Sequence, residues 1–147
     1  MSPDEGRAKR SEQFRQALEA LNRQDAGSAY MEKYRSSGVV SGGVLAGDVR
    51  GKAAIIIDDL ISTGGTLVRA AKACRAAGAR KVFAAAAHGL FVGGAPELFA
   101  SPEFDGIAVT NTVPPFRVAP DVATQRLAII DVSEAIARAI LACDNAG

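Results

Sequence analysis

The spacing of hydrophobic residues changes along the chain, and each change marks a predicted element. Residues 7–23 carry apolar side chains at helical spacing, with charged residues between them. Residues 28–33 are predicted as a short strand. Residues 36–43 are rich in serine and glycine and have few side chains to bury, so they are predicted as an exposed, mobile loop. The first third of the chain is therefore expected to contain a helix, a short strand and a loop.

Two continuous apolar runs, at residues 53–57 and 81–87, predict strands that are buried on both faces. Such strands are typical of the middle of a parallel sheet. Between them the spacing predicts a helix with Leu67, Ala71 and Cys74 on its inner face. Strand, helix and parallel strand together form a crossover unit, which is the building block of α/β proteins.

The rest of the chain continues this alternation. We expect a short helix at residues 93–100 and strands at residues 106–110 and 127–130, and Asp131 is placed to cap a final helix. The sequence shows no internal repeat and no change of composition that would mark a second domain. It therefore predicts a single α/β domain over residues 1–147, with a parallel sheet flanked by helices.

Composition and charge exclude several classes of protein. The 147 residues include Lys+Arg 17 and Asp+Glu 16, and a formal net charge of +1 offers no basic field for a nucleic acid. No apolar run approaches the roughly 20 residues that span a bilayer, and the charged N-terminus does not resemble a secretory signal. Cys74 and Cys143 fit neither a metal site nor a disulfide framework, so both are predicted as reduced core thiols. We expect a cytoplasmic protein without nucleic-acid or membrane partners.

The segment I-D-D-L-I-S-T-G-G-T at residues 57–66 carries the clearest chemical signal. Asp58 and Asp59 end a buried strand, which is where open α/β sheets bind ligands. The turn from Thr63 to Thr66 then opens a helix, whose N–H groups and dipole attract an anion, and its glycines allow a phosphate to approach. Two acids beside such a loop suit a sugar phosphate. The alternative is that the acids only cap the helix and the glycines only form a tight turn.

This motif resembles the phosphoribosyl pyrophosphate (PRPP) motif of type I phosphoribosyltransferases and of ribose-phosphate diphosphokinases, also called PRPP synthetases. Three further matches favour the synthetases. S-P-D-E-G at residues 2–6 resembles their magnesium-binding motif, and E-K-Y-R at residues 32–35 resembles their catalytic loop. Residues 47–51 and 87–91 are similar to other landmarks of that family. The matches occur in the right order from Ser2 to about Leu141 and correspond to the C-terminal half of that enzyme.

The resemblance implies a phosphoribosyltransferase-type fold and a defined reaction. A diphosphoryl group passes from ATP to ribose 5-phosphate, giving PRPP and AMP. Lys33 and Arg35 would be catalytic and would contact the transferring group, while Asp4 would help to hold Mg²⁺. The residues implied to bind ribose 5-phosphate are Asp58, Asp59, Ser62, Thr63, Gly64, Gly65 and Thr66. A homo-oligomer, or pairing with an N-terminal half, is also expected.

Departures from the family pattern leave two other functions open. Ser62 stands where the family usually has a third acid, and Tyr34 stands at a position that is commonly basic. The family's N-terminal half, which supplies most of the ATP-binding surface, has no counterpart here. One alternative is a phosphoribosyltransferase that consumes PRPP, although Asp4 and the pair Lys33 and Arg35 favour a synthetase. The other is a non-catalytic subunit that binds ribose phosphates, and the sequence fits either a natural short protein or an excised domain.

Overall fold

The computed structural model describes the backbone of residues 5–36 and 39–144, and the side chains of residues 11–31 and 45–144. A short 3-10 turn, Val92–Gly94, precedes the third helix. In chain order the elements are α1 (Glu5–Asn22), β1 (Tyr30–Ser36), β2 (Val39–Ala46), β3 (Ala53–Ile61), α2 (Gly65–Ala76), β4 (Lys81–Gly89), α3 (Pro96–Ala100), β5 (Gly106–Thr110), α4 (Pro120–Arg126), β6 (Leu127–Ile130) and α5 (Ser133–Asp144).

Strands β3 to β6 form a four-stranded parallel sheet in the order β3-β4-β5-β6. A helix follows each of these strands, so the predicted α/β class and parallel sheet are confirmed. The predicted place of β3 is wrong, because among the described strands β3 lies at the edge of this sheet. The isoleucines of β3 are covered from above and below the sheet, not from its edges. Ile56 is buried on one face, and Ile55 and Ile57 are half-buried on the other. Burial on both faces therefore does not reveal whether a strand has neighbours on both edges.

The core lies on the face of the sheet that α2 covers. Helix α2 packs against β3, β4 and α3. Its inner residues Leu67, Ala71 and Cys74 are buried, as predicted, and short alanine side chains in β4 let the helix approach closely. Burial raises the pKa of the Cys74 thiol, so this group stays protonated at neutral pH. Cys143 is exposed, so the prediction of a core thiol is wrong for that residue.

Residues 39–46 form a strand, so the loop predicted over residues 36–43 is wrong for most of its length. Strand β2 runs antiparallel to β1, and the register changes between Glu32 and Tyr34. The Cα partners on either side of the change are Glu32 with Val44 and Tyr34 with Ser41. Gly42 and Gly43 therefore both face Lys33, which makes a β-bulge. The glycines that favoured a loop accommodate an irregular strand instead.

Of the last two helices, α5 is predicted by the sequence pattern and α4 is not. Helix α4 was not predicted, because it is seven residues long and has no buried residue to give it a periodic pattern. Helix α5 was predicted, and the Asp131 carboxylate accepts a hydrogen bond from the N–H of Ser133 at 2.8 Å. Its Ile136 and Ile140 are exposed although both side chains are large and apolar. No helix within the described ranges is both long enough and apolar enough to cross a bilayer.

Arg75 joins the end of α2 to the segments that enter β4 and β5. Its Nη2 donates to Oδ2 of Asp105 at 2.7 Å, and its Nη1 donates to the carbonyl oxygen of Arg80 at 2.9 Å. The same carboxylate oxygen of Asp105 accepts the N–H of Val82 at 2.7 Å. The hydrogen bond from Val82 and the charge of Arg75 lower the pKa of Asp105. The ionised carboxylate thus fixes the start of β4 against β5.

We expect Asp105→Asn to lower the melting temperature at pH 7 and to reduce the loss of stability in acid. Because the pKa of Asp105 is lower in the folded state than the ordinary value of about 3.9, its contribution is complete above that value and disappears as the pH falls through the folded pKa. Thermal melts between pH 7 and pH 2.5 measure this difference. The exposed Asp121→Asn serves as the control, and parallel curves for the parent and Asp105→Asn would contradict the assignment.

Candidate functional site

The predicted site residues from Asp58 to Thr66 lie at the carboxyl edge of the sheet, where β3 passes into α2. Asp58 and Asp59 lie near the end of β3 and are half-buried, whereas Ser62 and Thr63 are exposed in the turn. Asp58 Oδ1 accepts the N–H of Asp59 at 2.9 Å. Strand β3 continues to Ile61, so the chain has only three residues in which to turn into the helix. The two carboxylates therefore lie only a few residues before the N-terminus of α2.

Gly64 is required by the fold itself. It caps α2 in the left-handed conformation, with φ 84° and ψ −6°, which residues with a side chain rarely adopt. A Cβ at this position would lie 2.7 Å from Cβ of Leu98, which is fully buried in α3. Gly64 therefore packs directly on Leu98. The fold requires a glycine here whether or not a ligand binds.

Gly65 is different, because its space opens towards the loop. The atoms nearest to a Cβ built there are Nη1 of Arg69 at 3.7 Å and Oγ1 of Thr63 at 4.0 Å. Both distances are ordinary contacts, and Gly65 begins α2 without a positive φ. Of the two glycines, Gly65 is thus the one whose bare backbone faces the candidate ligand site.

The segment after β4 holds the turn in place. The N–H groups of Leu90 and Phe91 donate to the carbonyl oxygen of Ile61 at 2.9 and 3.2 Å, and that of Val92 donates to Ser62 at 3.1 Å. Phe91 and Ala95 are left-handed, with φ 46° and 45°, at a cost of about 1–2 kcal/mol each for residues other than glycine. Both are buried, and the Phe91 ring packs on Phe99 with a centroid distance of 5.2 Å. The sequence pattern does not reveal this support, and the one signal for it is the glycine pair at residues 93–94.

A cavity of about 360 Å³ lies beside the two acids. Its floor is formed by the alanines of β4 and by Ala108 and Thr110 of β5, and one wall is formed by Ser11 and Phe14 of α1. Asp58 and Asp59 are the charged groups of the lining. Because the floor consists mainly of short side chains, a ring of sugar size has room to reach the carboxylates.

His88 lies on the β5 side of this edge. Its Nδ1 is 2.7 Å from Oγ1 of Thr112, and the hydroxyl groups of Thr110 and Thr112 both donate to the carbonyl oxygen of Ala87, at 2.6 and 3.1 Å. The two threonines therefore fix the end of β4 and orient the imidazole. Neither threonine stands out in the sequence, because Thr110 ends β5 and Thr112 lies in the loop after it, without a recognisable motif.

The structure does not place every predicted site residue. Asp4 lies outside the described residues, and so do the side chains of Lys33 and Arg35, whose backbone lies in β1. Within the described ranges, no group of three or more His, Cys, Asp or Glu side chains could hold a metal ion. The structure thus brings together the residues from Asp58 to Thr66, while the catalytic pair and the metal-binding acid stay predictions.

Comparison with known proteins agrees with this geometry. Residues 38–146 match the family described as the phosphoribosyl synthetase-associated domain. The chain belongs to this family. Its relatives include the ribose-phosphate pyrophosphokinase of Haemophilus ducreyi, which is 37% identical over 147 residues, or 99% of this chain and 44% of the relative. The enzyme of the same name from Nostoc sp. is 40% identical over 115 residues, or 78% of this chain and 33% of the relative.

The fold of the chain is also similar to that of a solved structure. The crystal structure of phosphoribosylpyrophosphate synthetase from Mycobacterium smegmatis aligns with a TM-score of 0.75 and 31% sequence identity. The alignment covers 99% of this chain and 44% of that one. The predicted resemblance to PRPP synthetases and the predicted sheet flanked by helices are confirmed. The chain spans less than half the length of these relatives.

We expect Gly64→Ala to lower the free energy of unfolding by at least about 1–2 kcal/mol, because alanine there is both left-handed and too close to Leu98. Gly65→Ala should leave it unchanged or raise it by up to about 1 kcal/mol, because alanine favours the helix more than glycine does. Urea denaturation of the two variants measures both effects. Equal losses in the two variants would show that the roles of the glycines are misassigned.

Proposed function

We propose that residues 1–147 form the C-terminal, phosphoribosyltransferase-type domain of a ribose-phosphate diphosphokinase. In that reaction the β,γ-diphosphoryl group of ATP passes to the anomeric hydroxyl of ribose 5-phosphate, giving PRPP and AMP. The observation that supports the proposal best is the pair Asp58 and Asp59 beside the glycine turn that opens α2. Membership of the synthetase-associated family adds independent support.

The turn and the two acids would bind opposite ends of the sugar phosphate. The first N–H groups of α2 have no acceptor within the helix, and the positive end of its dipole favours an anion. The first turn of α2 contains no acidic residue that would repel a phosphate. Thr63, Gly64, Gly65 and Thr66 would therefore bind the 5-phosphate, and Ser62 would line the same turn. Asp58 and Asp59 would accept hydrogen bonds from the ribose hydroxyls.

The donor groups of the site also fit Mg²⁺. This ion prefers oxygen ligands and is usually held by one or two carboxylates together with substrate phosphates. Asp58 and Asp59 supply such carboxylates, and Asp4 would be a further ligand. When bound, Mg²⁺ neutralises negative charge on the polyphosphate. The chain's own contribution is to orient the ribose through the acids and the phosphate through the turn.

Lys33 and Arg35 are the proposed catalytic residues. They lie two positions apart on β1, and Lys33 lies opposite the bulge of β2. Negative charge develops on the transferring group and on the departing AMP oxygen, and fixed cations stabilise that charge. The rest of the catalysis is positioning, because phosphoryl transfer leaves little covalent work for the protein.

The relatives are more than twice as long as this chain, which suggests what else the reaction needs. Because the chain spans 44% of the Haemophilus ducreyi enzyme, we propose that most of the ATP-binding surface comes from a segment equivalent to the rest of that enzyme. The functional form would be a cytoplasmic homo-oligomer or a pairing with such a segment. One alternative is a non-catalytic subunit that binds ribose phosphates. It is favoured by the same observation, that this chain spans only 44% of the relative.

We expect ribose 5-phosphate to stabilise this chain without ATP, because the whole phosphate turn is present. A ligand at a hundredfold excess over its Kd stabilises the native state by about 2.7 kcal/mol, which raises the melting temperature of a domain this size by roughly 5–10 °C. Asp58→Asn and Asp59→Asn should each reduce the shift, whereas Asp144→Asn at the end of α5 should not. Ribose without the phosphate is the matched ligand control, and no shift at millimolar ribose 5-phosphate would refute the assignment.

We expect this chain alone to form AMP slowly from ATP and ribose 5-phosphate. The rate of AMP formation should rise when the N-terminal half of the Haemophilus ducreyi relative is added. In that mixture Lys33→Ala should lower kcat by about 10²-fold and change the KM for ribose 5-phosphate much less, because the cation acts mainly in the transition state. Chromatographic measurement of AMP release gives both parameters.

Two outcomes would redirect the proposal. Rapid AMP formation by the chain alone would place the nucleotide site within these residues. No AMP from either preparation, combined with normal binding of ribose 5-phosphate, would favour the non-catalytic subunit.

A further inference from the structure

Arg69 places a positive charge over the first turn of α2. Its Nη2 donates to Oγ1 of Thr66 at 3.3 Å, and its Nη1 lies 3.7 Å from the point where a Cβ on Gly65 would be. Side chains on a helix tilt towards its N-terminus, so a residue in the second turn covers the first. The guanidinium therefore borders the same turn that the proposed function gives to the phosphate.

This is an unfavourable position for a cation in the ligand-free protein. The N-terminal end of a helix dipole is positive and destabilises nearby cations. No carboxylate of the described side chains pairs with Arg69, whereas Arg15, Arg75 and Arg138 each form an ion pair with an acidic side chain. The first turn of α2 also lacks an acidic residue. An anion bound at the turn would balance both the dipole and the arginine.

The hydrogen bond to Thr66 has a further consequence. The Thr66 hydroxyl accepts from Arg69 through its oxygen, so its own hydrogen is left to donate elsewhere. Thr66 is exposed, and it is the second residue of α2. The guanidinium and the hydroxyl thus lie at the first turn of α2, whose N–H groups have no acceptor within the helix, and donors of these kinds suit the several acceptor oxygens of a phosphate monoester.

We propose that Arg69 binds the 5-phosphate of the substrate directly and that Thr66 completes this contact. The inference rests on the proposed function, which assigns the turn to ribose 5-phosphate. Arginine suits this role because its planar, permanently charged group can form two parallel hydrogen bonds to a phosphate. Lys72 provides a matched comparison, because it is an exposed cation on the same helix, one turn further from the N-terminus.

The test compares the affinity of ribose 5-phosphate for the parent, Arg69→Ala, Arg69→Lys and Lys72→Ala by titration calorimetry. Loss of a charge-assisted pair should raise the Kd of Arg69→Ala by about 10- to 100-fold. Arg69→Lys should recover part of the loss, and Lys72→Ala should stay within about 2-fold of the parent. Inorganic phosphate should show the same order of affinities, and ribose without a phosphate should not distinguish the variants.

A second measurement separates binding from folding. Without ligand, Arg69→Ala should melt at the same temperature as the parent or higher, because it removes a cation from the positive end of α2. A lower melting temperature would show a structural role and would overturn the inference, as would equal losses of affinity in Arg69→Ala and Lys72→Ala. Unchanged affinity in Arg69→Ala, with normal binding by the parent, would overturn the inference and leave the proposed function intact. A parent that binds neither ribose 5-phosphate nor inorganic phosphate would overturn both.

Discussion

The contact between Gly64 and Leu98 is the constraint on which the shape of the candidate site depends. The chain leaves β3 and enters α2 within three residues, and this is possible because Gly64 is left-handed and packs without a side chain on α3. The segment after β4 then binds the carbonyl oxygens of Ile61 and Ser62. Two successive strand–helix connections, from β3 to α2 and from β4 to α3, therefore hold each other in place at the candidate site.

Buried aromatic packing offsets the strain in that support. Phe91 and Ala95 each occupy a left-handed conformation at a cost of about 1–2 kcal/mol. Burial of a phenylalanine or leucine side chain stabilises a protein by about 1.5–3 kcal/mol, and Phe91, Leu98 and Phe99 are all buried around this turn. The apolar gain is larger than the strain, so the irregular backbone beside the site can persist.

The site combines opposite charges at short range in a chain whose net charge is only +1. Two carboxylates lie near the end of β3, while the N–H groups and dipole of α2, together with Arg69, create a positive region a few residues later. A sugar phosphate carries hydroxyl donors at one end and an anion at the other, so this separation of charge matches both. Electrostatics at this site is therefore local, and the overall charge of the protein gives no indication of it.

The sequence by itself determined the α/β class, the strands at residues 106–110 and 127–130, and the position of residues 58–66 where a strand passes into a helix. These features depend on periodicity and on residues that are contiguous in the chain. The sequence did not determine that β3 lies at the edge of the sheet formed by the described strands, that residues 39–46 pair with β1, or that Ile136 and Ile140 are exposed. A hydrophobic pattern shows which face of an element is apolar, but tertiary packing decides what covers that face and which strands pair. The contact of Leu98 with Gly64 was likewise decided by the tertiary structure, because it joins α3 to the start of α2.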